Sequence, residues 1–163
     1  MDTANRNELN KKVVSEGKQF IVVKLGTEQY GIDIQYVDNI VRMQNITRVP
    51  KAQHYFKGVI NLRGEIIPVM SLRLKFGLEA DEFTNTTRII IIKLEAQATI
   101  GIIVDEVIEV VTLNEEEIEK SSYNESDEKA AYLLGVGKHG ESLISLMNIE
   151  GVIVEKEKEK TNA

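Results

Sequence analysis

A chain of 163 residues with 42% hydrophobic and 28% charged residues is sized for one compact domain or two small lobes that share a core. Its formal net charge of −6 and pI near 5.1 argue against a phosphate-backbone ligand, which Lys and Arg would have to neutralise. Cysteine is absent, which excludes disulfides and thiolate metal sites, and no apolar run approaches the roughly 18–20 residues of a bilayer span.

Residues 1–17 are polar and unpatterned, with no apolar stretch of the kind a secretory leader carries, so a flexible tail and a cytoplasmic location are expected. The first strand is Phe20-Ile21-Val22-Val23. Ile34, Val37, Ile40 and Val41 then fall on one face of a short helix of about two turns. Further strands follow at Ile66–Val69, Ile89–Ile92 and Ile100–Val104. Asn114, with Glu117 three residues on, opens a second short helix with capping-box chemistry. The acidic run from Glu115 to Glu128 reads as a solvated helix and loop. At 155–163 alternating Glu and Lys leave no apolar face, which fits either an exposed helical extension or a frayed tail.

The body is duplicated. Phe20–Leu25 aligns with Ile89–Leu94, sixty-nine residues later. After one inserted residue Gly31–Ile34 aligns with Gly101–Val104, and Val37, Ile40 and Val41 align with Val107, Val110 and Val111. Gly58-Val59 then matches Gly135-Val136, Gly64-Glu65 matches Gly140-Glu141, and the run ending in Leu72 matches the one ending in Ile149. Two units of about 65 residues, each with about five short strands, predict two small barrels, because closure is how so small a sheet removes its edges. The expected subdomains are 18–83 and 84–154, with the option that end strands cross between lobes. Equivalent hairpin turns are predicted at Arg63-Gly64 and His139-Gly140.

No catalytic constellation accompanies this pattern. Gly135-x-Gly137-x-x-Gly140 has dinucleotide spacing, but an alternating strand follows it where that motif requires a helix. His54 and His139 lie in different repeats without ligand-like spacing, and no Gly-x-Ser-x-Gly elbow is present. The expectation is therefore no enzyme, no metal and no cofactor. A small β-barrel enzyme or nucleic-acid-binding barrel would need support that these residues do not give. The remaining informative surface is apolar, between the lobes, with Val37, Ile40 and Val110 either lining it or simply belonging to the core.

Three runs are distinctive together: Gly17–Gly26 leading into Glu28–Ile34; Thr47-Arg48-Val49-Pro50; and Phe56–Gly64 followed by Ile67-Pro68-Val69. With Gly101–Asp105 and Tyr132–Gly137 they closely resemble the CheW family of bacterial chemotaxis coupling proteins over about residues 18–154. The resemblance implies a mostly β fold of two SH3-like five-stranded β-barrel subdomains with short helical segments. It also implies a non-catalytic adaptor that joins the cytoplasmic tips of methyl-accepting chemoreceptors to the regulatory domain of the histidine kinase CheA. A related kinase regulatory module of the same fold is the alternative. The adaptor would be recruited to membrane-bound receptor arrays without entering the membrane. Carried over by position, Val37, Ile40, Gly58, Arg63 and Val110 match receptor-binding residues, and kinase contacts fall on the outer barrel faces. Two departures stand out: Asn39 and Ser71 occupy positions where the family usually carries an acid.

Overall fold

The computed structural model describes residues 17–94, 98–120 and 131–153. The tails expected at 1–17 and 155–163 therefore lie outside the described residues, except for Gly17, as do Glu125, Asp127 and Glu128 of the acidic run. Among the described residues eleven strands run in chain order: β1 (Lys18–Leu25), β2 (Glu28–Asp33), β3 (Val37–Arg42), β4 (Phe56–Leu62), β5 (Glu65–Ser71), β6 (Arg88–Lys93), β7 (Thr99–Val104), β8 (Glu106–Leu113), β9 (Ile118–Lys120), β10 (Leu133–His139) and β11 (Ser142–Met147). A short helix α1 (Leu72–Lys75) follows β5, and a second helix occupies 149–153. The chain is mostly β and forms two SH3-like barrels with short helical segments, as expected.

The sheets do not divide at 83/84. One sheet has the order β8-β1-β2-β11-β10-β9, the other β3-β6-β7-β5-β4. Each therefore combines two strands from one repeat with the remainder of the other, joined by short parallel pairings of β2 with β11 and β5 with β7. In the first sheet β8 and β9 lie on opposite edges, separated only by the 3-10 turn Glu115–Glu117. That bent strand closes the barrel. In the second, β3 occupies one edge, and Thr47, a few residues on, exchanges two 2.8 Å backbone hydrogen bonds with Val59 on the other. Both closures use the same device at matched positions. A Cβ on Gly58 would overlap the Thr47 carbonyl, and one on Gly135 the Glu119 carbonyl.

Three apolar layers result. Phe20, Val22, Val111, Leu113, Ile144 and Leu146 fill the first barrel. Ile60, Ile67, Val69, Ile89, Ile91 and Ile103 fill the second. Ile21, Val23, Leu25, Ile90, Ile92 and Ile102 belong to the central layer between barrels. Alternate residues of β1 and β6 thus enter different cores. A strand buried on both faces needs no polar alternation, and this is why the Ile89–Ile92 run is continuous.

The helix expected over Ile34–Val41 is instead a 3-10 turn, Ile34–Tyr36, followed by β3. The Asp33 side chain caps the turn by accepting from the Gln35 N–H, and the Val37 N–H returns to the Ile34 carbonyl. β-branched residues then meet the open edge of β6, where a ladder costs them less χ1 freedom than a helix. The helical spacing has a physical source. A bulge at Asp38 shifts the register between Val37↔Ile92 and Ile40↔Ile90, so residues three apart share one face. The expectation after Asn114 is met by a 3-10 turn in which the Asn114 N–H donates to Glu117 Oε1 at 2.9 Å.

The two hairpin turns are not equivalent. β4 and β5 pair Leu62 with Glu65, leaving Arg63 and Gly64 as loop residues with φ of 53° and 83°, a type I′ pattern. β10 and β11 pair His139 with Ser142, so the loop is Gly140-Glu141 and only Gly140 has positive φ, 61°. His139 ends a strand.

Gly58 sits at φ 140° with no room for a side chain. Gly58→Ala is expected to lower stability by at least about 2 kcal/mol, read as a fall in urea midpoint, because strain and overlap add. Gly64→Ala, where nothing lies within 4 Å, tests the φ cost alone and should lose less.

Candidate partner-binding site

The register that puts Val37 opposite Ile92 and Ile40 opposite Ile90 turns both toward the central layer. β8 repeats the arrangement: its register shifts past Ile108, so Val107 faces Val23 and Val110 faces Ile21. Within each pair the first residue packs against the central cluster and the second does not. Val37 and Val107 are half-buried on it. Ile40 is 39% exposed and Val110 51% exposed. The sequence left open whether these three were core or surface; Val37 belongs partly to the core, while Ile40 and Val110 are surface aliphatics. They lie on the edge strands of the two sheets.

Arg63 stands apart from them, on the turn at the end of the second barrel. It lines a polar cavity of about 400 Å³ with Asp38, Asn39, Glu65, Lys93 and Thr99. Gly58 is buried in β4, and its geometry serves barrel closure. The five residues are therefore one half-buried and two exposed aliphatics on the edge strands of the two sheets (Val37, Ile40, Val110), a cationic turn and an internal glycine.

The CheW-like domain family model matches residues 19–157. The chemotaxis protein CheW of Klebsiella aerogenes is 35% identical over 86% of this chain and 84% of its own length. That of Bacillus subtilis is 34% identical over 86% and 89%. Among solved structures, the scaffolding protein TtCheW of Thermoanaerobacter tengcongensis superposes with a TM-score of 0.74 at 34% identity, covering 81% of this chain and 89% of that one. The chain belongs to the CheW family.

Against that family pattern, the two departures now have structural consequences. Asn39 shares the cavity of Arg63, and its Oδ1 is buried without a hydrogen-bond partner. Asp38 does not face away, as a helix would require; from the bulge it lines the same cavity. At Ser71 an acid is supplied from elsewhere. Ser71 Oγ bonds Asp81 Oδ1 and accepts from the Leu74 N–H, so the serine also caps α1.

One feature of this CheW-family chain had no signal in sequence spacing. Arg73, on α1, grips Asp105 bidentately, Nε to Oδ1 at 2.8 Å and a terminal nitrogen to Oδ2 at 2.6 Å. Asp105 Oδ2 also accepts from the Gly26 N–H at 2.8 Å. Asp105 occupies the corner where the chain passes from β7 in one sheet to β8 in the other, and Gly26 is on the β1–β2 hairpin. The bond set therefore pins one barrel to the other. The hydrogen bond from Arg73, aided by the Gly26 N–H, holds the Asp105 carboxyl below its ordinary value of 3.8. The same bond raises the Arg73 guanidinium.

A carboxylate whose folded pKa is depressed contributes stability that is fully present above its unfolded pKa and is lost as pH falls through the folded value. Asp105→Asn is expected to cost about 1–2 kcal/mol at pH 7, with solvent screening limiting the loss. Urea denaturation of both proteins should show the difference shrinking below about pH 4, where the carboxyl of the unfolded chain begins to protonate, and vanishing once pH has fallen through the lower folded value.

Proposed function

We propose that this protein is a chemotaxis coupling scaffold: it seats the cytoplasmic tip of a chemoreceptor on the face carrying Val37, Ile40 and Val110, and joins it to the kinase CheA. The observation that carries the reading is the pair of exposed aliphatics, Ile40 and Val110, at matched positions on the two edge strands bordering the central layer. An apolar ridge of a helical hairpin buries itself on such a face as an amphipathic helix does in a groove. The regulatory domain of CheA takes an outer barrel face, so receptor state passes to the kinase through geometry. The role asks no catalysis of this chain, and it brings the protein to receptor arrays at the membrane through its partners.

Arg63 has its own support. It sits at φ 53°, where Asn or Gly would be more comfortable, and its guanidinium is free of the loop's conformational demands. A residue that costs stability where it stands is retained for what its side chain does. Its planar fork suits carboxylates or carbonyls on a receptor helix. Gly58 contributes indirectly by closing the barrel that carries β3.

Co-sedimentation of the protein with receptor fragments and CheA, with kinase activity read in parallel, tests the proposal. Ile40→Glu and Val110→Glu are expected to lower receptor capture at least tenfold with little change in melting temperature. Wild-type capture and kinase control by both variants would sink the assignment of this face. Arg63→Asn should raise stability by about 0.5–1 kcal/mol while weakening receptor control of the kinase. Full control by Arg63→Asn would mean that the turn arginine has no part in coupling.

A further inference from the structure

We infer a second binding site, between the β1–β2 hairpin, helix α1 and the start of β10, that takes the basic side chain of a Lys or Arg on a partner polypeptide. A cavity of about 450 Å³ opens there, within the size range of ligand pockets. Its floor is aromatic. The Phe76 ring centroid lies 5.4 Å from that of Tyr30, tilted, and 5.5 Å from that of Tyr132, stacked. Leu25, Leu78 and Leu133 line the walls. Neither the aliphatic face of β3 and β8 nor the Arg63 turn contributes a residue to it.

Electrostatics selects the ligand. The cation in the lining is Arg73, and all three of its nitrogens already donate, two to Asp105 and one to the Glu79 carbonyl at 3.3 Å. Its charge is already matched by the Asp105 carboxylate. Glu28 and Glu79 stand exposed at the mouth, and Asp81 adds its field at Arg73. Two further cations lie nearby: Lys24, which acts on Asp105, and Lys75, whose Nζ lies 4.2 Å from the Tyr55 ring centroid and 5.5 Å from that of Tyr132. Among the described residues four carboxylates (Glu28, Glu79, Asp81 and Asp105) thus face three cations, and in the lining itself Glu28 and Glu79 stand beside an Arg73 already paired with Asp105, leaving a negative surplus over an aromatic floor. The Lys75 ammonium already lies within cation–π range of one ring of the floor, Tyr132.

A Lys or Arg side chain matches both halves of the site. Its hydrocarbon stem packs on the leucines while its head meets the ring faces and a rim carboxylate. Tyr30 Oη donates to Glu28 Oε2 at 3.2 Å, which holds that carboxylate beside the floor. A bare metal ion is not favoured, because no cluster of three His, Cys, Asp or Glu occurs among the described residues.

The test is a titration of the full chain, labelled at leucine methyls, followed by two-dimensional NMR. The probes are Ac-Gly-Arg-Gly-amide, Ac-Gly-Lys-Gly-amide, the same peptide with norleucine, and free arginine. Saturable shifts at Leu25, Leu78 and Leu133 with the Arg and Lys peptides, sparing Leu113 and Leu143, are expected. The double variant Glu28→Gln/Glu79→Gln, which leaves the core intact, should weaken them about two- to fivefold, the size of a lost exposed charge contact. Equal shifts from the norleucine peptide would overturn the cation assignment. Free arginine binding as tightly as the peptides would overturn the polypeptide source. Undiminished binding by the double variant, or no shifts at those methyls with any probe, would overturn the site.

Discussion

The exchange of strands between the two repeats is the constraint from which the rest follows. β1 and β2 leave their own repeat to pair with β8 and β11, while β6 and β7 pair with β3 and β5. Neither repeat can complete a barrel alone. Because β1 and β6 each belong to one barrel and back onto the other, every second residue of both must be buried in the layer between barrels. Separating the barrels would expose Ile21, Val23, Ile90 and Ile92 together, at roughly 1.5–3 kcal/mol for each side chain. The relative placement of the barrels is therefore as firmly set as either barrel's interior, which is what a scaffold that transmits geometry requires.

Upon that shared frame the two halves use different chemistry at matched places. Leu72 corresponds to Ile149 in the repeat, so Arg73 corresponds to Glu150. Arg73 reaches the β7–β8 corner with a bidentate ion pair. Glu150 accepts a 3.4 Å hydrogen bond from Tyr36 at the β2–β3 corner. Both links join a helix following one sheet to the corner where the chain enters the other. The turns diverge in the same manner, type I′ at Arg63-Gly64 and a single positive φ at Gly140. Symmetry governs the backbone and the cores; the polar links are free to differ, because solvent-facing pairs do not have to interdigitate.

Much of this was legible in the sequence, and the failures have definite causes. Gly31 and Gly101, Gly58 and Gly135, and the apolar runs fixed the repeat register, since glycines at close backbone approaches and strands buried on both faces leave strong patterns. The spacing of Ile34, Val37, Ile40 and Val41 misled because a β-bulge imitates helical periodicity over so short a span. Arg73 and Asp105 carried no signal: thirty-two residues separate them, and only the strand exchange brings α1 against the β7–β8 corner. The aromatic cavity was hidden similarly, since Tyr30, Phe76 and Tyr132 come from three separate elements.

The bulges also explain why aliphatics stand exposed on the two edge strands. A strand that must bend around a barrel and then cross its open edge gains the needed twist from one extra residue, Asp38 in β3 and Ile108 in β8. That extra residue resets the alternation, so a second aliphatic follows the first onto the inner face just as the strand leaves the cover of the central layer. Val37 and Val107 remain anchored in the layer, whereas Ile40 and Val110 project past its rim. The anchored residue carries both a folding term and a surface term, and the projecting one carries the surface term alone. A polar change at Val37 thus mixes loss of packing with loss of contact, and the contact itself is measured cleanly only at Ile40 and Val110.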